Sequence, residues 1–138
     1  MEFAQNHSLL VMGFVAVLGM IVWVEFKRLT RKYQQKDVNQ AVMLLNQDDA
    51  VVLDVREAKE LKETGKIKGA KHIPLTELQK RLPELEKSKN KPILVYCRSG
   101  NRSGTACETL TKNGFEQVNN LSGGIMAWES ANMPLSNK

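Results

Sequence analysis

The sequence predicts an α/β domain built on a parallel sheet flanked by helices, preceded by one transmembrane helix. Three observations carry this reading. Short apolar runs, Ala50-Val51-Val52-Leu53 and Pro92-Ile93-Leu94-Val95-Tyr96, alternate with segments of helical period and read as strands buried on both faces. The second run leads into the turn Cys97-Arg98-Ser99-Gly100-Asn101-Arg102-Ser103 and then into a helix from Gly104 to its stop at Gly114. Ahead of both, Leu9 to Val24 is a 16-residue stretch without a charge, inside an uncharged window of 22 residues from Phe3 to Val24.

That N-terminal stretch matches the roughly 17–25 apolar residues a spanning helix needs, with Asn6, His7 and Ser8 at headgroup level and Trp23 near the opposite interface. A cleaved secretory signal is the competing reading. It wants a basic start and a small-residue cleavage site. Met1 to Ser8 contains no Lys or Arg, and Val22-Trp23-Val24-Glu25 is a poor site, so the segment reads as an uncleaved anchor. Lys27, Arg28, Arg31, Lys32 and Lys36 crowd the far side of the span and none precedes it. The positive-inside bias therefore places the C-terminal domain in the cytoplasm and the short N-terminus outside, across an inner (plasma) membrane. The expected organisation is 1–8 extracytoplasmic, 9–24 transmembrane, 25–36 a basic juxtamembrane linker and 37–138 the folded domain.

The same cluster explains the basic pI of about 9.3. Residues 1–36 contain five Lys and Arg and two acidic residues, of the chain's 20 and 15, which leaves 15 against 13 over 37–138. The excess is juxtamembrane and suits anionic headgroups; no nucleic-acid partner is expected. Two cysteines in a cytoplasmic domain argue against a disulfide framework.

Within the domain, Asp37 reads as an N-cap with Gln40 in capping-box position, and Val38, Ala41, Met43, Leu44 and Leu45 continue an apolar helical face to about Asn46. The run 50–53 is a strand ending at Asp54. Glu57 to Glu63 is a charged short helix stopped by Gly65, and Ala70 to Ile73 a short strand broken by Pro74. Leu75, Leu78, Leu82 and Leu85 support helical turns on either side of Pro83; Lys87 to Lys91 is a loop. Gln117 to Asn120 is a last strand and Gly124 to Ala131 a last helix, containing Trp128.

The turn after Tyr96 carries the chemistry. A thiol at a strand's C-terminal end, facing a helix N-terminus, lies in the crevice where open α/β sheets bind ligands. Converging backbone N–H groups and the helix dipole make the place electropositive, and Arg98 and Arg102 add full charges. The pKa of Cys97 is expected to be depressed there. Gly100 permits a positive φ, which lets the N–H groups converge.

These residues resemble the active-site loop of rhodanese-like sulfurtransferases, Cys-x-x-Gly-x-Arg followed by a small hydroxyl residue or alanine. Val51-Val52-Leu53-Asp54-Val55-Arg56-Glu57 is similar to that family's early strand and Asp-Val-Arg turn. Gly65-Lys66-Ile67-Lys68-Gly69-Ala70-Lys71-His72-Ile73-Pro74 resembles its Gly-x-Ile-x-Gly-Ala-x-x-Ile-Pro segment, and Leu121-Ser122-Gly123-Gly124-Ile125-Met126-Ala127-Trp128 its closing Leu-x-Gly-Gly-x-x-x-Trp. The resemblance runs from about Asp37 to about Pro134. It implies the rhodanese-like fold and a catalytic Cys97 that carries sulfur as a persulfide. It needs no cofactor. Donor and acceptor would be a small sulfur compound and a thiol, free or on a protein, or cyanide in the test tube.

Each candidate has a plainer reading beside it. Cys97 could be a buried strand-end thiol, which its Arg and Gly-Asn-Arg-Ser flanks oppose. Arg98 reads as a substrate contact over the mouth of the loop. Arg102 reads as a clamp that folds back on the loop or onto a carboxylate, stabilising the thiolate in consequence. Ser99 and Ser103 offer hydroxyls to the sulfur, although Ser103 could simply cap the helix; Asn101 completes the loop. Asp54 and Arg56 invite a general-base role, but a structural pair supporting the loop is the simpler account. Cys107, on the helix face of Ala106 and Leu110, reads as core. His72 lacks companions for a metal, and no metal site is expected. Two rivals to sulfur transfer stand beside it. Cysteine phosphatases use a similar cradle with Cys-x5-Arg spacing, one residue longer than Cys97 to Arg102. A membrane-tethered module holding a client at the bilayer is the other.

Overall fold

The computed structural model describes residues 5–29, 32–47 and 49–136. Arg31, Met1 to Ala4 of the expected N-terminal segment, and the last two residues of the domain lie outside the described residues. The chain divides into two units, one ending at Arg31 and one beginning at Lys32.

The first unit is helix α1, Ser8–Leu29. Its stretch Ser8–Lys27 is long and apolar enough to cross a membrane. At 1.5 Å per residue, 22 residues span about 33 Å. The helix continues past Val24 into the expected linker, since Glu25, Phe26, Lys27 and Leu29 have no helix breaker among them. Lys27 folds its ammonium over the Trp23 ring at 4.3 Å.

The second unit alternates β1 (Gln34–Lys36), α2 (Val38–Leu45), β2 (Val51–Asp54), α3 (Ala58–Thr64), β3 (Lys71–His72), α4 (Leu75–Arg81), a 3₁₀ helix (Leu82–Ser88), β4 (Pro92–Tyr96), α5 (Asn101–Lys112), β5 (Gln117–Leu121) and α6 (Gly124–Ser130). All five strands are parallel, in the order β1-β5-β4-β2-β3. Helices separate consecutive strands, as parallel pairing requires. Every residue of the central β4 is buried, which is why it reads as a continuous apolar run. Its side chains alternate between two cores. Ile93, Val95 and Cys97 face one that includes Leu78, Ala106 and Leu110; Leu94 and Tyr96 face another with Ala41, Ile125 and Trp128. That parity places the Cys97 sulfur on the α5 side of the sheet.

Local signals explain most boundaries. Asp37 accepts from Gln40 N at 2.8 Å while Gln40 Oε1 accepts from Asp37 N at 3.0 Å, a complete capping box at the start of α2. Pro83 sits at the start of the 3₁₀ helix, where its missing N–H is harmless; that helix reaches Ser88, into the expected loop.

Two expectations are corrected. Residues 34–36, expected as linker, form a strand paired with β5 through Gln34↔Asn119, Gln35↔Asn120 and Lys36↔Leu121. The domain thus starts at Lys32 rather than Asp37, and Tyr33 belongs to its core. Gln34, Gln35 and Lys36 carry no apolar signal because an edge strand is held by backbone pairing and needs none. The helix after Cys97 begins at Asn101 rather than Gly104. The turn is therefore short, and Asn101, Arg102 and Ser103 are its first helical residues.

Candidate active site

Cys97 ends the chain's run through the centre of the sheet and is 1% exposed. Gly100, the residue before α5, has φ 105°, a left-handed conformation that glycine adopts without strain. This reverses the chain within three residues and aims the N-terminus of α5 at the sulfur. Gly100 N–H donates to Cys97 Sγ at 3.1 Å, and the Ser103 Oγ lies 3.4 Å from it. Burial pushes the Cys97 thiol up, but the Ser103 hydroxyl and the backbone N–H groups of Ser103, Gly100 and Ser99 outweigh it and leave the thiol below its usual value.

The arginines contribute less to that depression than the sequence suggests. Arg102 donates Nη1 and Nη2 to the two carboxylate oxygens of Glu60 on α3, both at 2.7 Å. The Arg102 guanidinium holds the Glu60 carboxyl down at about 2. Arg102 responds to charge on Cys97 only as a lesser influence beside Glu60. The clamp onto a carboxylate is thus present, and the pull on the thiol comes from hydrogen bonds. Arg98 is exposed and lines a cleft of ≈ 280 Å³ together with Arg56, Glu60, Glu63, Met126 and Glu129. Ser99 contributes its N–H rather than its hydroxyl. Asn101 is exposed, and its side chain makes no hydrogen bond among the described residues.

Asp54 and Arg56 form a buried pair, 0% and 1% exposed, at 2.8 Å. Arg56 Nε and backbone N–H also donate to Asp54, Nη1 donates to Thr64 Oγ1 at 2.7 Å, and Nη2 donates to Gly65 O at 2.7 Å. Three Arg56 N–H groups hold the Asp54 carboxylate, and the pair ties the end of β2 to the end of α3. His72 Nε2 lies 2.6 Å from Arg56 O and bonds the same turn. Cys107 is fully buried in α5.

Glu60 and Asn120 escaped the sequence reading, whereas the resemblance implied that the Gly123-Gly124 segment lies near the active-site end of the domain. Glu60 is one of several carboxylates on a charged helix, and nothing local marks it. Gly123 and Gly124 read as a turn, yet Ile125 N–H donates to Cys97 O at 2.9 Å and Met126 N–H to Arg98 O at 3.2 Å, so the start of α6 holds the loop from behind. A Cβ on Gly124 would collide with the Cys97 and Arg98 carbonyls. Asn120 lies in a strand whose last four residues are buried, and a buried asparagine demands partners. It finds Ser103, Gly100 and Gln35.

Known proteins share this architecture. The chain is 35% identical over 136 residues to YibN, an uncharacterized protein of Escherichia coli K12, covering 98% of this chain and 94% of that one. It is 35% identical over 92 residues to a sulfurtransferase of Allochromatium vinosum, covering 67% and 83%. The solution structure of the polysulfide-sulfur transferase homodimer of Wolinella succinogenes superposes with a TM-score of 0.66 at 29% identity, over 86% of this chain and 88% of that one. Residues 37–131 match the model of the rhodanese-like domain. With its parallel five-stranded sheet and its cysteine at the β4–α5 turn, the chain belongs to the rhodanese-like family.

Proposed function

We propose that this protein is a membrane-anchored sulfurtransferase that moves sulfane sulfur through a Cys97 persulfide. The carrying observation is the Cys97 sulfur itself, which receives the Gly100 N–H at 3.1 Å at a helix N-terminus. In the first step the Cys97 thiolate attacks the outer sulfur of thiosulfate or of a persulfide. A Cys97 S–S bond forms, the donor's S–S bond breaks, and its electron pair leaves with sulfite or with the donor thiolate. The negative charge now sits on the outer sulfur, where the loop's N–H groups face it. In the second step a thiolate, or cyanide in the test tube, attacks that outer sulfur and returns Cys97 as thiolate. Two displacements on one nucleophile give ping-pong kinetics. The cysteine carries the sulfur, so this route calls for no cofactor and no metal.

Arg98, on the rim of the cleft with no side-chain partner among the described residues, is the group for an anionic donor. Arg102 argues against phosphate-ester chemistry: both of its outer nitrogens are committed to Glu60. A phosphatase arginine must instead face the transferred oxyanion.

Helix α1 is the anchor in this reading, with the sheet domain on the cytoplasmic side next to Lys27, Lys32 and Lys36. The acceptor thiol, small or on a protein, then lies near the bilayer, and a membrane-associated client fits the same placement. The test is to incubate the full-length protein in detergent with thiosulfate and measure its mass. A gain of one sulfur atom on Cys97, absent in Cys97→Ser, is expected. Sulfur transfer proceeding with Cys97 unmodified would overturn the proposal.

A further inference from the structure

Asn120 is 3% exposed and has no part in the two displacements. Its orientation is forced. Gly100 O, a carbonyl that can only accept, lies 3.1 Å from Asn120 Nδ2, and Gln35 Oε1 takes the second Nδ2 hydrogen at 3.1 Å. Asn120 Oδ1 is therefore the end that faces Ser103, and it accepts the Ser103 hydroxyl at 2.5 Å. A serine has one hydroxyl proton. While that proton points at Asn120, the Ser103 oxygen presents lone pairs to Cys97 Sγ at 3.4 Å. Lone pairs suit a protonated thiol, which can donate its S–H, and oppose a thiolate.

We propose that Asn120 is a positioning residue for the nucleophile: it holds the Ser103 proton away from Cys97 in the thiol form and yields it to the sulfur when the thiolate forms. The hydroxyl only rotates about its C–O bond, and no bond to hydrogen breaks. Rotation leaves Asn120 Oδ1 buried without a donor, so ionisation of Cys97 is opposed by the loss of that hydrogen bond. Once the persulfide forms, the charge moves to the outer sulfur and the Ser103 proton returns to Asn120. Gln35, on β1, fixes the far end of the relay and also accepts from Ser122 Oγ at 3.0 Å.

The other charged groups around Cys97 are Arg98 on the loop, Arg102 on α5 with Glu60 and Glu57 beside it, and the Asp54–Arg56 pair at the end of β2. None of them changes in the variants below. The proposal presumes that Cys97 is the sulfur-carrying nucleophile, but its test reads ionisation and not transfer.

The experiment measures iodoacetamide alkylation of Cys97 against pH in the full-length protein in detergent, with peptide mass spectrometry separating Cys97 from Cys107. Ser103→Ala should raise the midpoint. Asn120→Ala should lower it by about half to one pH unit, because the serine proton is then free for the sulfur. In a Ser103→Ala background, Asn120→Ala should leave the midpoint where it was. A merely structural asparagine would shift the midpoint equally with and without the serine, and that result overturns the proposal. A midpoint that rises or stays fixed in Asn120→Ala overturns it as well. Should Asn120→Ala not fold, Asn120→Ser withdraws the acceptor by one bond, and the same comparison across both Ser103 backgrounds decides. A persulfide that forms normally beside an unmoved midpoint defeats the relay alone. An unformed persulfide beside the expected shifts defeats the transfer reading alone.

Discussion

The Cys97 thiol is held below its usual pKa by neutral hydrogen-bond partners more than by charges. Each backbone N–H and the Ser103 hydroxyl sits within a few ångströms of the sulfur, inside a buried pocket where hydrogen bonds to an anion are strong. The two loop arginines are placed for other tasks, one to the cleft and one to Glu60. Their separation gives a testable pH dependence. Glu60 titrates at about 2 against an ordinary 4.5, because Arg102 holds it ionised. A depressed carboxylate stabilises the fold above its unfolded pKa, and that stability is lost as pH falls through the folded one. The wild-type domain should therefore lose stability from this pair between about pH 4.5 and pH 2, and Glu60→Gln should lack that part of the acid slope. Both side chains are partly exposed, so screening limits the contribution to about 1 kcal/mol. Acid denaturation followed by circular dichroism, wild type against Glu60→Gln, checks it; identical slopes would contradict it.

Strand β1 is the element the sequence hid most completely. It is three polar residues long, yet it brings Gln35 to Asn120 and leads in from Tyr33, which is 8% exposed in the core. Removal of residues 1–36 should cost the remaining domain about 2–4 kcal/mol, from one buried aromatic side chain and the ladder bonds to β5. Removal of residues 1–31 should spare it. Urea denaturation of the two fragments measures the difference, and equal midpoints would show that β1 is dispensable. Other elements were legible for identifiable reasons. The buried strand 92–96 has no polar face to interrupt it, Asp37 and Gln40 spell out their own cap, and Gly65 and Gly114 end their helices. The start of α5 was not legible, because Gly-Asn-Arg-Ser reads locally as a turn. Contacts beyond the turn hold two of its last three residues, Ser103 to Asn120 on β5 and Arg102 to Glu60 on α3. Contacts such as Arg102 to Glu60, 42 residues apart, leave no local trace for the same reason.

For the molecule as a whole, one apolar helix precedes one sheet domain, and the candidate site lies at the C-terminal ends of β2 and β4. Parallel pairing brings those ends to one edge, since Asp54 and Tyr96 are register partners. Helix α5 then brings its N-terminus to the same edge, where the Gly100 N–H donates to the Cys97 sulfur. The start of α6 closes the arrangement from behind, its Ile125 and Met126 N–H groups donating to the Cys97 and Arg98 carbonyls. The most direct test of this account is the ionisation midpoint of Cys97 in the intact protein, read by alkylation rate against pH. The account predicts a midpoint below the ~8.5 of an ordinary cysteine, with labelling of the native protein at neutral pH. An ordinary or higher midpoint, or a sulfur that reacts only after unfolding, would contradict it.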